Sequence, residues 1–346
     1  MQIVLDMQWE KKLEQGSVIQ VSPLVEPLLA LHGRLEDEMD ARGLIHLATG
    51  RRSRAVNRYY CGLFTAGALV SGWWEALQGL QVLILDEVQV RSLAYSELFQ
   101  MLAPLVERQE LKVIIMSATL PQVQLQQFFG EEKCNKIIIP GRLFHLYRFE
   151  LEPPSAFECD QELAQSLVEL CLNEAVSFSG GLLVFVRGQA LVELVASKLT
   201  DSMKSGQAPA SLKGWRVLQW FSRADSEAHS QVFAMPDEDI RCIVMATEGL
   251  GVGKTCPGIR IVISSCDVNR LRGGMLKPTC NSKSGVLQEG GRVGRHPFLG
   301  AGRHIIMRPY ESLPDSDEPE IMHAPLHRVS LRLLRDRRKG EDSAPK

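Results

Sequence analysis

No two of the eight cysteines form a C-x-x-C pair; they are scattered at Cys61, Cys134, Cys159, Cys171, Cys242, Cys256, Cys266 and Cys280. That spacing offers neither a zinc cage nor the disulfide framework of a small secreted domain. Free thiols in a reducing interior are the expectation, and with them an intracellular location, cytoplasm or nucleus. No apolar stretch approaches the ~18 residues that cross a bilayer, so no membrane partner is expected. The opening Met1-Gln2-Ile3-Val4-Leu5-Asp6 is acidic and soon polar, unlike a secretory signal. Neither sign of charge dominates, since 39 Lys plus Arg face 41 Asp plus Glu for a net −2. Near neutrality excludes nucleic-acid binding through bulk basicity and leaves only a local groove for it. There is no internal repeat of solenoid period.

What the chain does contain is ordinary globular material. Its 346 residues suggest about two domains, and 45% hydrophobic with 23% charged residues argues against disorder or a fibre. Short apolar runs rich in β-branched residues recur at Val18–Val21, Val82–Leu85, Val113–Met116, Leu182–Val186, Ile243–Met245 and Ile261–Ile263. With little alternation, they read as strands buried on both faces. Helical patterns lie between them, as at Leu163–Leu172 and Gln189–Leu199. Strands alternating with helices predict an α/β chain of parallel, doubly wound sheets, whose functional residues gather beyond the carboxyl ends of strands. Pro140-Gly141 and Pro153-Pro154-Ser155 bracket a mixed aromatic stretch and mark a connector. The expected division is a first lobe over 1–140, a connector over 141–156, a second lobe over 157–312, and a C-terminal extension over 313–346.

Asp86-Glu87-Val88-Gln89 directly follows a predicted buried strand. Two carboxylates leaving the carboxyl end of a sheet suit an Mg²⁺–nucleotide site, with Asp86 on the hydrated metal and Glu87 on the attacking water. They equally suit a turn opening a helix, where acids favour the positive end of the dipole. Ser117-Ala118-Thr119 ends the next strand, where two hydroxyls either relay hydrogen bonds from that site or cap a helix. Gln288-Glu289-Gly290-Gly291-Arg292-Val293-Gly294-Arg295 places two arginines three residues apart, on the same helical side, with glycines that allow close approach of another surface. Either they neutralise phosphate charge supplied by another surface, or the segment is a solvated basic turn. Gly251-Val252-Gly253-Lys254-Thr255 imitates a phosphate loop, but G-x-x-x-x-G-K-[ST] needs glycine where Glu248 stands. Two basic clusters, Arg51, Arg52, Arg54 and Arg58, and Arg335, Arg337, Arg338 and Lys339, either track phosphates or are solvated faces.

In order and spacing, these segments resemble the DEAH/RHA group of superfamily 2 RNA helicases over almost the whole chain. Val18 to Pro23 resembles motif Ia, Thr65-Ala66-Gly67 the T-x-G of motif Ib, and Asp86 to Gln89 with Arg91-Ser92 the D-E-x-H-x-R-S of motif II. Ser117-Ala118-Thr119 is similar to motif III, and Pro140-Gly141-Arg142 with Phe144 to the inter-lobe G-R-x-[FY]. Leu183 to Val186 with Gly188 resembles motif IV. Ala246-Thr247, Thr255 and Gly258 resemble motif V, which absorbs Lys254 without a phosphate loop. Gln288, Gly291, Arg292, Gly294 and Arg295 resemble motif VI, and Pro319-Glu320-Ile321 the segment after the second lobe.

The resemblance implies two RecA-like lobes, ATP with Mg²⁺ in the cleft, single-stranded RNA across both, and arginines of motif VI reaching the ATP phosphates. Its catalytic set on this chain is Asp86, Glu87, Gln89, Gln288, Arg292 and Arg295, with Asp86 and Glu87 holding Mg²⁺ through water. Ser117 and Thr119 couple the sites, while Pro23, Thr65, Gly67, Gly188, Thr247 and Thr255 follow the RNA backbone. Departures accompany it. No phosphate loop precedes Asp86, and Met1 falls just after its expected place, so the first lobe is expected to be truncated. Gln89 replaces His, Leu24 and Val25 replace two arginines, and Glu248, Gly251 and Val252 replace Asn, Glu and Thr. Glu289 stands in place of the first arginine of motif VI. The expected function is an ATP-dependent RNA helicase, or a fragment of one with impaired ATP handling. A helicase-like scaffold that binds RNA without turnover is the alternative, as is a viral superfamily 2 segment. Any protein cofactor is unspecified.

Overall fold

The computed structural model describes residues 18–39, 45–50, 52–53, 61–72, 79–108, 111–119, 122–139, 141, 144–151, 159–178, 180–221, 241–251, 258–272, 275–294, 300–324, 326–327, 329–331 and 334. The chain divides into two compact units, Met1–Ile137 with Glu318–Lys346, and Ile138–Asp317.

The first unit carries β1 (Val18–Ser22), α1 (Val25–Met39), β2 (Ile45–Thr49), β3 (Arg52–Ser53), β4 (Cys61–Thr65), α2 (Ala66–Ser71), β5 (Val82–Leu85), α3 (Leu93–Glu107), β6 (Lys112–Ile115) and α4 (Gln122–Phe129). Its six-stranded sheet has the order β3-β2-β4-β1-β5-β6, parallel except for the β2–β3 pair. The pleat sends successive side chains to opposite faces. Val18, Leu63, Val82 and Ile84 therefore pack with Leu28 and Leu35 of α1. Ile19, Val21, Leu83 and Leu85 pack on the other face with Leu69 and Val70 of α2 and Leu98 and Leu102 of α3. Burial of both faces explains why β1 and β5 read as continuous apolar runs; β6, expected to be buried likewise, is the sheet edge, with Ile114 and Met116 exposed.

The second unit adds β7 (Leu146–Glu150), α5 (Asp160–Ser177), β8 (Gly181–Phe185), α6 (Gly188–Lys204), β9 (Arg216–Trp220), β10 (Cys242–Ala246), β11 (Ile259–Ser264), β12 (Asp267–Arg272), β13 (Met275–Cys280), α7 (Lys283–Gly290) and β14 (Gly302–Ile306). Six of its strands form a parallel sheet in the order β7-β14-β11-β8-β10-β9, and β12 with β13 form a separate antiparallel hairpin. Leu182, Val184, Ile243, Met245, Ile261 and Ile263 pack against apolar faces of α5 and α6. Leu183, Phe185, Val244 and Val262 line the opposite face.

All six predicted strands and both predicted helices are present, each within a few residues of its expected span. Two boundaries differ from expectation. The stretch read as a connector holds β7, which pairs with β14 as the edge of the second sheet. Only Leu146 of this strand is buried, while Tyr147, Arg148, Phe149 and Glu150 are exposed as suits a sheet edge, so it lacks the apolar run by which the other strands were read. The chain from Glu318 onward clusters with the first unit. The seven described cysteines are free thiols; burial pushes Cys171 up to about 12, as suits an inert core side chain. Among the described residues, no helix is long and apolar enough to cross a membrane.

Candidate functional site

In the first unit, the site is built where β5 and β6 end. Asp86 leaves β5 with its N–H on the Val21 carbonyl at 2.9 Å, so its backbone still belongs to the sheet. One carboxylate oxygen accepts the Glu87 N–H at 2.9 Å, and the other lies 3.4 Å from Nε2 of buried Gln20 on β1. Burial, then the neighbouring Glu87 carboxylate, pushes the Asp86 carboxyl above its ordinary value, while those hydrogen bonds partly offset the shift. Glu87 adopts left-handed backbone at φ 53°, as does Arg91 at φ 49°. Such angles in non-glycine residues are held only when their surroundings over-determine them.

A directed chain of hydrogen bonds holds the Glu87 side chain. The Thr119 N–H donates to Ser117 Oγ at 3.2 Å, and the Ser117 hydroxyl donates to Gln89 Oε1 at 2.7 Å. Gln89 Nε2 then donates to the Glu87 carboxylate. Because one end of the amide must accept and the other donate, Gln89 has a single orientation here. Ser117 and Thr119 are thus hydrogen-bonded to the Asp86-Glu87 turn through an amide that cannot titrate. Thr119 Oγ1 is buried without a hydrogen-bond partner among the described residues.

Two supports escape the sequence reading. Tyr95, buried on α3, donates its hydroxyl to the Asp86 carbonyl and lies 3.3 Å from the Val21 carbonyl. Burial and the two nearby carboxylates push its phenol far above the usual range, so it remains a donor. Tyr95→Phe should therefore destabilise the first unit by about 1–3 kcal/mol through an unsatisfied buried carbonyl. Urea unfolding followed by amide exchange in β1 and β5 measures it; an unchanged midpoint would remove Tyr95 from the site. Glu320 is the second support. Its carboxylate accepts the Leu93 N–H at 2.8 Å, and its own N–H donates to the Arg91 carbonyl at 3.2 Å. It satisfies an orphan donor at the start of α3 beside Ser92, whose hydroxyl accepts from Tyr95 N.

The remaining expected residues of this unit are less engaged. Pro23 follows β1 in a bend. Thr65 is 8% exposed, and its hydroxyl caps α2 by accepting the Ala68 N–H at 3.3 Å. Gly67 is exposed in the first turn of α2, with open space where a Cβ would stand.

In the second unit, Gly188 opens α6 at φ 70°, and a Cβ there would lie 2.5 Å from the Asn269 amide. Thr247 follows β10 with its N–H on the Trp220 carbonyl at 3.2 Å. Gln288 lies on α7, its Nε2 buried with no hydrogen-bond partner among the described residues. The expectation that two arginines share one helical side is corrected: α7 ends at Gly290, and Arg292 lies in the following turn. Gly291 closes the helix, and Gly294 takes φ 73°, 3.3 Å from the Phe144 carbonyl at its Cβ position. Arg292 is 6% exposed, with Nε 3.4 Å from the Gln288 carbonyl. Arg295, Thr255 and the Lys254 segment lie outside the described residues, as do both basic clusters apart from the Arg52 backbone.

Glu289 is the unexpected feature of this unit. It is 4% exposed, and Oε1 accepts Asn281 Nδ2 at 2.9 Å, whereas Oε2 is buried without a partner among the described residues. Burial lifts its carboxyl to about 8, against partial offsets from the Ser264 hydroxyl and the Arg270 guanidinium. Beside it, Ser264 Oγ and His304 Nε2 are 2.9 Å apart, and a Cβ on Gly290 would lie 2.3 Å from His304 Nδ1. Serine, histidine and glutamate are gathered here, and with Ser264 and His304 fully buried the group packs within the core.

Two parallel sheets in one chain, each flanked by helices and the first with an acidic pair beyond a buried strand, have the architecture of RecA-like lobes. No family model matches the chain. Over 281 residues, it is 29% identical to the probable ATP-dependent RNA helicase DHX40 of Rattus norvegicus, covering 74% of this chain and 35% of that protein. It is 29% identical over 269 residues to the ATP-dependent RNA helicase HrpB of Escherichia coli, covering 75% and 31%. It is 30% identical over 235 residues to the pre-mRNA-splicing factor ATP-dependent RNA helicase DEAH10 of Arabidopsis thaliana, covering 64% and 31%. The crystal structure of the Escherichia coli DEAH/RHA helicase HrpB superposes with a TM-score of 0.76 at 22% identity, covering 92% of this chain and 41% of that one. The chain is similar to ATP-dependent RNA helicases of the DEAH/RHA group. It spans about a third of the length of the curated relatives it matches.

Proposed function

We propose that this chain forms the two-lobed core of a DEAH/RHA-type ATP-dependent RNA helicase, with ATP and Mg²⁺ at the Asp86-Glu87 site and single-stranded RNA as partner. The observation that carries it is the pair of adjacent carboxylates at the end of β5, with Glu87 held by Gln89 and Gln89 in turn by Ser117 from the end of β6. The donor set fits the metal. Mg²⁺ takes hard oxygen ligands, keeps most of its waters, and is commonly held by one or two carboxylates plus substrate phosphates. Asp86 would hold the hydrated ion, and Glu87 would orient and deprotonate the attacking water. Gln89 fixes the Glu87 carboxylate, and Ser117 fixes Gln89. Pro23, Thr65, Gly67, Gly188, Thr247 and Thr255 would follow the RNA backbone, with Gln288, Arg292 and Arg295 acting on the nucleotide.

ATP handling by these 346 residues is proposed to be impaired, because their sequence holds no G-x-x-x-x-G-K-[ST] ahead of Asp86. The backbone cradle and lysine of that loop contribute charge-assisted bonds of about 1.5–3 kcal/mol each. Calorimetry on the purified chain should find Mg-ATP binding weaker than micromolar, and Asp86→Asn should remove its Mg²⁺ dependence. Micromolar binding with RNA-stimulated turnover would overturn the impairment. Failure to bind single-stranded RNA at low salt would overturn the helicase reading itself.

A further inference from the structure

The Arg270 side chain joins the turn after β10 to the β12–β13 hairpin. Arg270, in the middle of β12, places NH1 2.5 Å and 2.6 Å from the two Glu248 carboxylate oxygens. Its NH2 lies 3.1 Å from Asp317. Glu248 opens the short turn Glu248–Gly251, and Asp317 lies at the end of the second unit.

We propose that Arg270 is a positioning residue that fastens the Glu248–Gly251 turn to the hairpin, so that the two move as one body. Each partner is anchored separately on its other side. Trp220 packs its ring 3.2 Å from where a Gly249 Cβ would stand, and its carbonyl accepts the Thr247 N–H. At the hairpin base, Asp267 is paired with Arg308 at 2.9 Å and Arg187 at 3.4 Å, and Asn269 fills the space left by Gly188. These contacts hold the turn and the hairpin to the sheet, while Arg270 spans from one to the other. Glu248 stands where the resembled motif has asparagine, which carries no charge to pair with a guanidinium, so this fastening belongs to the present sequence. Half-exposed ion pairs contribute little to global stability, so removing this one should leave the fold intact and alter only how the turn is held. The hairpin also carries Arg272 and Lys277, cations suited to a phosphate backbone. Resting on the RNA reading above, the fastening would pass an RNA contact at the hairpin to the turn after β10.

Amide hydrogen exchange on the purified chain tests this without any ligand. Arg270→Gln and Glu248→Gln should each speed exchange in residues 247–251 by about tenfold, with the melting temperature nearly unchanged. The double variant should exchange no faster than either single one, the signature of a shared contact. Unchanged exchange in Arg270→Gln, or additive effects in the double variant, would overturn the proposal. A second arm adds saturating oligouridylate. The unsubstituted chain should gain protection in both hairpin and turn, and Arg270→Gln in the hairpin alone; protection of both in that variant would overturn the relay. Absence of protection anywhere in the unsubstituted chain would count against RNA binding and the relay, and leave the ligand-free result to decide the fastening.

Discussion

Glu289→Gln should flatten the pH dependence of stability in the second unit. The folded carboxyl titrates at about 8, against 4.5 for an unperturbed glutamate, so the folded state holds a proton that the unfolded chain has released between those values. Stability from this group is therefore complete below about pH 4.5, falls as pH rises, and is lost above about 8. At about 1.4 kcal/mol per unit, the full loss is on the order of 5 kcal/mol. Glutamine keeps the shape and the acceptor for Asn281 and has no proton to lose. Urea unfolding at pH 5, 7 and 9 should show the unsubstituted chain losing stability with alkalinity and the variant holding level. Parallel profiles would show that Glu289 is not protonated in the folded chain. The effect is large because Glu248 and Asp317 add negative charge around a carboxyl that burial already disfavours ionising, and Arg270 only partly compensates.

Glu87→Gln should reduce ATP turnover by about 10²–10⁴-fold while leaving nucleotide and RNA affinity nearly unchanged. Turnover is best read in a chain extended by a phosphate loop ahead of β1, at saturating Mg-ATP and RNA. The carboxylate sits on strained backbone at φ 53° and is held by the Gln89 amide, so it is placed before substrate arrives. Asp86→Asn should differ by weakening Mg-dependent nucleotide binding as well. Equal loss of binding in both variants would end the division of roles between metal carboxylate and water-orienting base.

The two predictions differ in how legible their residues were. Asp86 and Glu87 stand out in sequence because they follow a run of four apolar residues and precede a second strand ending in Ser117-Ala118-Thr119. Glu289 read only as an irregularity in an arginine-bearing segment. Its burial depends on Asn281 and Ser264, which reach it through the packing of α7 on the second sheet. The helical spacing read for Arg292 and Arg295 failed because glycines at 290 and 291 end α7 before either arginine is reached.

By itself, the sequence determined the fold class, six of the strands, the order of the motifs and the acidic pair. Those features are local: a strand buried on both faces must be apolar along its length, and a functional residue must follow its end. Only the tertiary structure decided which groups support that site. Gln20 meets Asp86 across 66 residues, and Glu320 reaches α3 across 227. Tyr95 supports the Asp86 carbonyl from a helix, and Arg270 spans from hairpin to turn. None of these pairings leaves a periodic trace, because a hydrogen bond between distant segments constrains one atom of each and no spacing in either. The elevated carboxyl of Glu289 and the edge strand β7 were decided the same way, by what folding placed around them.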